Sequence, residues 1–324
     1  MLGTLFGLTL LLTPRGIWAE ADPASAVDSA HVAKLIEQLG SAAFEEREAA
    51  LSGLRQLGHP VRAQLFDARN HKSAEVRARV AALVRQLDAD SPLNNAFQAF
   101  AKRPDEKLDI EEGMWLISRI LNKDVQRVAL ARQLDALAEA VRKKLGVGVA
   151  PKSVDPERLV TVLREVLFED EKFGGNFDDY YNPANSSLEK VLESKKGLPI
   201  LLSHVVIAVG RRLDVPIVGV PTSGRYIVKY DGRRAPPEFP QGDIYFNPFD
   251  NGKILARQDR SELFPAFDPD LMVQPQSHRK DLIRMLANLE THLFLRDDSD
   301  RAYLAVEFRV ALEQNDPAGV NQQK

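Results

Sequence analysis

Cysteine is missing altogether from the 324-residue chain. Its absence excludes disulfides, thiolate metal ligands and a thiol nucleophile. It says little about compartment, because a chain of this length can build a core without disulfide staples. An excess of positive charge is missing too: 43 Lys and Arg stand against 46 Asp and Glu, so no basic field favours nucleic acid as a partner. Histidine is sparse, and none of the six stands at metal-ligand spacing from another His or an acid. Neither a metal nor a cofactor is therefore expected. Apolar runs of the roughly 18 residues that span a membrane are also lacking. The short run Leu2 to Thr13, followed by Ala19-Glu20-Ala21, matches a signal peptide over residues 1–21, although no Lys or Arg precedes Arg15. Export to the periplasm or exterior is the expectation, with no membrane span beyond that segment.

What remains is an ordinary globular composition, 44% hydrophobic and 27% charged, long enough for two or three domains. Residues 22–29 are small and polar and read as a linker. Helical periodicity follows over 30–87. Val32, Leu35, Ile36 and Leu39 share a face, Gly40 ends that helix, and Ser41 is placed to N-cap the next. That second helix is expected to turn Phe44, Ala49, Leu51 and Leu54 inward. Pro60 suits the first turn of a third helix, and Ser73 caps a fourth carrying Val76, Val80, Leu83 and Leu87. Short helix pairs with Arg47, Arg77 and Arg79 outward or near the turns resemble HEAT-like repeats. A boundary is expected at Asp88 to Pro92. Amphipathic helices are then expected over 110–121, 126–145 and 159–167.

From 173 to 252 the character changes. Gly, Asn, Asp and Tyr dominate to residue 183, and a helix is expected from Ser187 to Leu192. Pro199 fits the first turn of a helix that is apolar nearly all round to Val209, and so buried. Three strand-like runs follow, Ile217–Pro221, Arg225–Tyr230 and Asp243–Pro248. A buried helix backed by a small antiparallel sheet makes a predominantly helical α+β fold. The expected domain spans 93–270, with a C-terminal helical pair over 271–314 and a polar tail at 315–324.

An ordered set of motifs runs through this region: Phe173-Gly174-Gly175-Asn176, Tyr180-Tyr181-Asn182-Pro183-Ala184-Asn185-Ser186, Lys196-Gly197-Leu198-Pro199, Gly224-Arg225-Tyr226, and Asn247-Pro248-Phe249-Asp250-Asn251-Gly252. In this order and spacing it resembles the SirB-type transglutaminase-like family over about 200 residues. The resemblance implies a transglutaminase core in which a Cys opens the buried helix, a His stands on one strand and an Asp or Asn on the next. Here the Cys position falls at Pro199, the His position at Arg225 and the acid position at Asn247. Pro199 has no nucleophilic atom, and a guanidinium does not surrender its proton near neutral pH.

The other polar residues give no replacement. Ser203 and His204 are adjacent on a helix and point about 100° apart, so they form no nucleophile–base pair. Ser203 is expected to bond a preceding carbonyl, and His204 to be a satisfied helix histidine. Asp178-Asp179 reads as a solvated turn and Lys195-Lys196 as a short charged one. Tyr180 and Tyr181 either pack the approach to the cleft, the favoured reading, or line a groove. Arg225 either recognises a carboxylate or phosphate or pairs with an acid such as Asp250. Candidate binding residues are Tyr180, Tyr181, Asn185, Ser203, Arg225, Asn247 and Asp250.

The functional expectation is a non-catalytic binding or scaffolding module for protein or peptide. A hydrolase or transferase without a thiol, and a structural role in envelope assembly, are the alternatives.

Overall fold

The structure is a computed structural model that describes residues 28–89, 91–222, 225–256, 258–259 and 276–316. The expected signal peptide, most of the linker, the stretch leading up to residue 270 and the last eight residues of the tail lie outside them. The chain divides into two compact units, Met1–Ala89 and Asp90–Lys324.

In the first unit, α1 (Ser29–Gln38) is N-capped by Asp28, whose carboxylate accepts from Ala30 N–H at 3.0 Å. Helix α2 (Phe44–Leu57), α3 (Arg62–Asp67) and α4 (Ala74–Ala89) follow. They close around Leu35, Leu39, Leu54, Leu65, Val80 and Leu83. Burying each such side chain contributes about 1.5–3 kcal/mol. Two turns are tied in the same way. Arg47 donates to the carbonyls of Ser41 and Ala42 at 2.8 and 3.0 Å, and Arg77 to those of His71 and Lys72 at 2.7 and 3.0 Å.

Three local expectations are corrected. Ser41 is not the N-cap: its hydroxyl accepts from Ala43 N–H and donates to Glu46, and α2 starts after Ala43. Phe44 and Ala49 face solvent: Phe44 is the first residue of α2, and Ala50 and Leu54 are the buried positions of that helix. The segment His59–Val61 around Pro60 is a 3-10 turn, with α3 beginning after it.

The second unit begins with α5 (Pro92–Ala101) and α6 (Ile110–Leu121), capped by Ser91 and Asp109. Helix α7 (Arg127–Leu145) comes next. Helix α8 (Pro156–Arg164) starts earlier than expected, at its own capping Asp155, and widens into a π-helical turn, Glu165–Asp170. Strand β1 (Gly174–Gly175), α9 (Leu188–Ser194) and β2 (Lys196–Gly197) lead to α10 (Pro199–Leu213). The sheet then runs β3 (Ile217–Thr222), β4 (Arg225–Tyr230), β5 (Ile244–Asn247) and β6 (Lys253–Ile254). Its order is sequential and antiparallel, with Gly219 opposite Val228, Val228 opposite Phe246, and Phe246 opposite Ile254.

Helices α11 (His278–Phe294) and α12 (Ser299–Gln314) close the unit. They share one core with α5 to α10: Phe97 stacks on Phe308 at 3.9 Å between ring centres. One charge is buried at this closure. The Arg279 guanidinium, 1% exposed, meets Asp105 at 2.5 Å and donates to the carbonyls of Ala101, Arg103 and Leu312. Such a group is tolerated inside only because its donors are taken up.

Candidate functional site

Helix α10 is the central support. Leu201, Leu202, Val205, Val206 and Val209 are buried around it, so its N-terminus is held in place. Pro199 occupies the first helical position, where a missing N–H leaves no bond unmade. The chain reaches it through Lys195, in the left-handed region at φ 62°, and then through β2, which pairs in parallel with β1. That pairing brings the Phe173-Gly174-Gly175-Asn176 segment alongside the helix start. Gly175 is needed there: a Cβ would lie 2.7 Å from the Phe249 ring.

Beyond β1 an asparagine network shapes the loop. Asn176 donates to Asn185 Oδ1 at 3.0 Å and accepts from Asp179 N–H at 3.1 Å. Asn185 donates to the carbonyls of Asp179 and Tyr180 at 2.8 and 2.9 Å. Asn185 is buried behind the loop, so its role is to hold the loop. Asp179 pairs with Arg296 at 2.5 Å and accepts from Asn182, which is more than a solvated turn.

The loop presents Phe177 and the two tyrosines. Phe177 meets Phe249 edge-on at 4.7 Å, and Tyr180 meets Phe249 at 5.9 Å and Tyr181 at 5.3 Å. Tyr181 and Phe177 remain 55% and 66% exposed. These aromatics line a surface rather than fill a core. Burial pushes the Tyr180 phenol upward from its ordinary value. His292 packs behind both tyrosines, and its imidazolium is pushed downward, mainly by burial, against the opposing pull of the Asn182 backbone and Asp179.

Opposite the loop, β4 opens at Arg225 and β5 ends at Asn247. Asn247 Oδ1 accepts from Phe249 N–H at 3.1 Å, which turns the chain so that Phe249 and Asp250 face the same side. The turn is locked at Gly252, whose φ is 70° and where a Cβ would lie 2.2 Å from the Phe168 ring of the π-helical turn. Arg164 donates to the Gly252 carbonyl.

Pro199, Arg225 and Asn247 thus converge. With Tyr180, Phe177, Phe249 and Asp250 they line one open cleft of about 380 Å³. The Arg225 guanidinium has no acidic partner among the described residues, so the expected pair with Asp250 is not formed. Arg225 is held through its carbonyl, which accepts from Arg284 at 2.8 Å.

Ser203 and His204 stand elsewhere. Ser203 is fully buried and its hydroxyl donates forward to the Tyr226 carbonyl on β4 at 3.2 Å, not to a preceding turn of its own helix. His204 lies beneath the sheet beside Asp281, which accepts from the Tyr226 hydroxyl at 3.0 Å. Burial and the Asp281 charge hold the Tyr226 phenol far above its ordinary range. No metal-holding group of His, Asp and Glu occurs among the described residues, and no described helix is long and apolar enough to cross a membrane.

Phe177 and Phe249 are not among the binding residues expected from sequence, although Phe249 stands within one of the ordered motifs. The signal available was a pair of aromatics, each set among the Gly, Asn and Pro residues that shape turns.

Comparisons with known proteins cover this region. A family profile described as the transglutaminase-like superfamily matches residues 129–287, which contain every cleft residue. The UPF0162 protein of Xylella fastidiosa (strain Temecula1) is 31% identical over 225 residues, covering 66% of this chain and 75% of that protein. F-box only protein 21 of Homo sapiens is 27% identical over 229 residues, covering 65% of this chain but 36% of that protein. No solved structure matches the chain.

Proposed function

The chain belongs to the UPF0162 family of transglutaminase-like proteins, and on that premise we propose that it is a non-catalytic recognition module whose cleft binds peptide. One observation carries the proposal. The three positions that would hold a catalytic triad meet at an open cleft, yet they are Pro199, Arg225 and Asn247. No nucleophile and no base touch each other there. Three aromatic side chains and an unpaired guanidinium suit binding instead.

The ordered motifs support placement in the SirB-type branch. The matched arginine ties of Arg47 and Arg77 support a HEAT-like repeat in the first unit, which would add an extended docking surface. Export is part of the same proposal and rests on the apolar run and Ala19-Glu20-Ala21. Sequencing the mature N-terminus tests it: a start at or near Asp22 supports cleavage, and a start at Met1 ends that claim.

Function is tested by two assays on the full chain. Peptide-array binding should be seen and should be lost in Tyr180→Ala combined with Phe249→Ala. Amide and ester substrates should not turn over. Hydrolysis abolished by a cleft substitution would overturn the proposal.

A further inference from the structure

The cleft carries charge of both signs, and neither charge is spent. Arg225 and Asp250 line the same cavity, and neither forms an ion pair with the other or with any described residue. Several other charged side chains of the second unit are matched. Arg212 meets Glu111 and Asp135, Arg309 meets Glu290 and Glu313, and Lys195 meets Glu171. A further cation, Arg284, is engaged with the Arg225 carbonyl and lies over the Tyr226 ring. It adds positive charge on the Arg225 side of the cleft. Asn247 spends its side-chain oxygen on Phe249 N–H, which leaves its amide N–H group as a second donor near Arg225. The same cleft is lined by three aromatic side chains, Phe177, Tyr180 and Phe249.

A guanidinium beside an amide donor suits a carboxylate, which accepts bidentate bonds. A carboxylate in the same cleft, that of Asp250, suits an ammonium. Aromatic walls suit an apolar or aromatic side chain. The volume, about 380 Å³, lies at the low end of the roughly 300–1,000 Å³ typical of small-ligand pockets. It therefore fits a few residues and not a folded surface.

Building on the recognition-module reading, we infer that the cleft takes a short zwitterionic peptide. Its free α-carboxylate sits on Arg225 and Asn247, its cationic group faces Asp250, and an apolar or aromatic side chain lies against Phe177, Tyr180 and Phe249.

The test is calorimetric titration of the full chain with Phe, Gly-Phe and Gly-Gly-Phe. Each is used free, C-terminally amidated and N-terminally acetylated, so the charges are removed from the ligand without disturbing the protein. The expected result is that at least one free peptide binds, and that each cap weakens its binding about tenfold or more, the scale of one charge-assisted contact. Arg225→Met should erase the effect of amidation alone, and Asp250→Asn the effect of acetylation alone. A blocked peptide with glutamate in place of the terminal carboxylate separates a side-chain acid from a chain end: equal binding assigns the carboxylate to a side chain and overturns the chain-end assignment. Capped and free peptides binding within twofold of each other would overturn the charge inference while leaving peptide recognition standing. No binding by any free or capped peptide, on these probes or on the array, would overturn both.

Discussion

His204 Nε2 lies 3.1 Å from the Asp281 carboxylate, and each side chain is only 3% exposed. The contact is close but not a directed hydrogen bond, and the carboxylate's one directed partner is the Tyr226 hydroxyl. It joins α10, β4 and α11, the three elements that carry or back the cleft. Removing the carboxylate strands the buried Tyr226 hydroxyl and leaves a cavity beside His204. Asp281→Ala should therefore destabilise the second unit by about 3–5 kcal/mol, the lost bond, the unsatisfied hydroxyl and the cavity together. Tyr226→Phe removes a single bond to a charged group and should cost about 1.5–3 kcal/mol. Urea unfolding measures both, and equal losses would contradict the shared-carboxylate arrangement.

Arg279 predicts a failed conservative replacement. Its fork serves Asp105 and three carbonyls at once. Lysine keeps the charge but not the planar geometry. Arg279→Lys should cost about 2–4 kcal/mol in the same unfolding experiment. A variant as stable as the parent would show that the carbonyls are satisfied without the fork.

Gly252 is strained for any other residue. Alanine at φ 70° costs about 1–2 kcal/mol in backbone terms alone. Its Cβ would also drive into Phe168. Gly252→Ala should lose about 2–4 kcal/mol in total and displace the Phe249 turn. Thermal unfolding, with peptide binding at permissive temperature, checks both parts.

Acid sensitivity should follow from His292. Its folded pKa lies below the ordinary 6.5, mainly because burial disfavours the imidazolium. The unfolded chain then binds the proton more readily than the folded one. The contribution to stability is present above about pH 6.5 and is lost as pH falls through the lowered folded value. His292→Gln should flatten stability across that window, read by urea midpoints at successive pH values. An unchanged acid limb would place the sensitivity elsewhere.

A thiol restored at the helix start should be activated by its surroundings. Pro199→Cys places sulfur at the first position of α10, in the cleft with Arg225. Helix N-termini and neighbouring cations lower thiol pKa values to below about 7.5. Iodoacetamide alkylation against pH should show that midpoint, and a midpoint near 8.5 would mean neither influence reaches the sulfur.

Much of the fold was legible because its signals are local. The apolar circumference of the chain from Ile200 to Val209 marks a buried helix whatever surrounds it, and β-branched and aromatic residues between Gly and Pro breaks mark β3 to β5. Phase was harder. Phe44 and Ala49 are exposed because Phe44 stands at the very start of α2 and the buried face takes Ala50 in place of its neighbour, which spacing alone does not decide. The Pro199, Arg225 and Asn247 positions were legible through ordered motifs. The buried trio behind the cleft was not: His204, Tyr226 and Asp281 lie tens of residues apart, and no spacing rule brings them together. Phe249 has room for its ring only because Gly175 lacks a side chain, a condition that sequence shows as a common residue in a common turn.

Pro199 has a further consequence. The free main-chain N–H groups at the start of a helix are the donors that stabilise a developing oxyanion on an attacked carbonyl. Proline contributes none at the first position of α10. A single residue thus withholds both the attacking atom and the donor closest to it. A peptide carbonyl lodged at this point would meet no attacking atom and one donor fewer, which would leave the peptide intact for as long as it stayed bound.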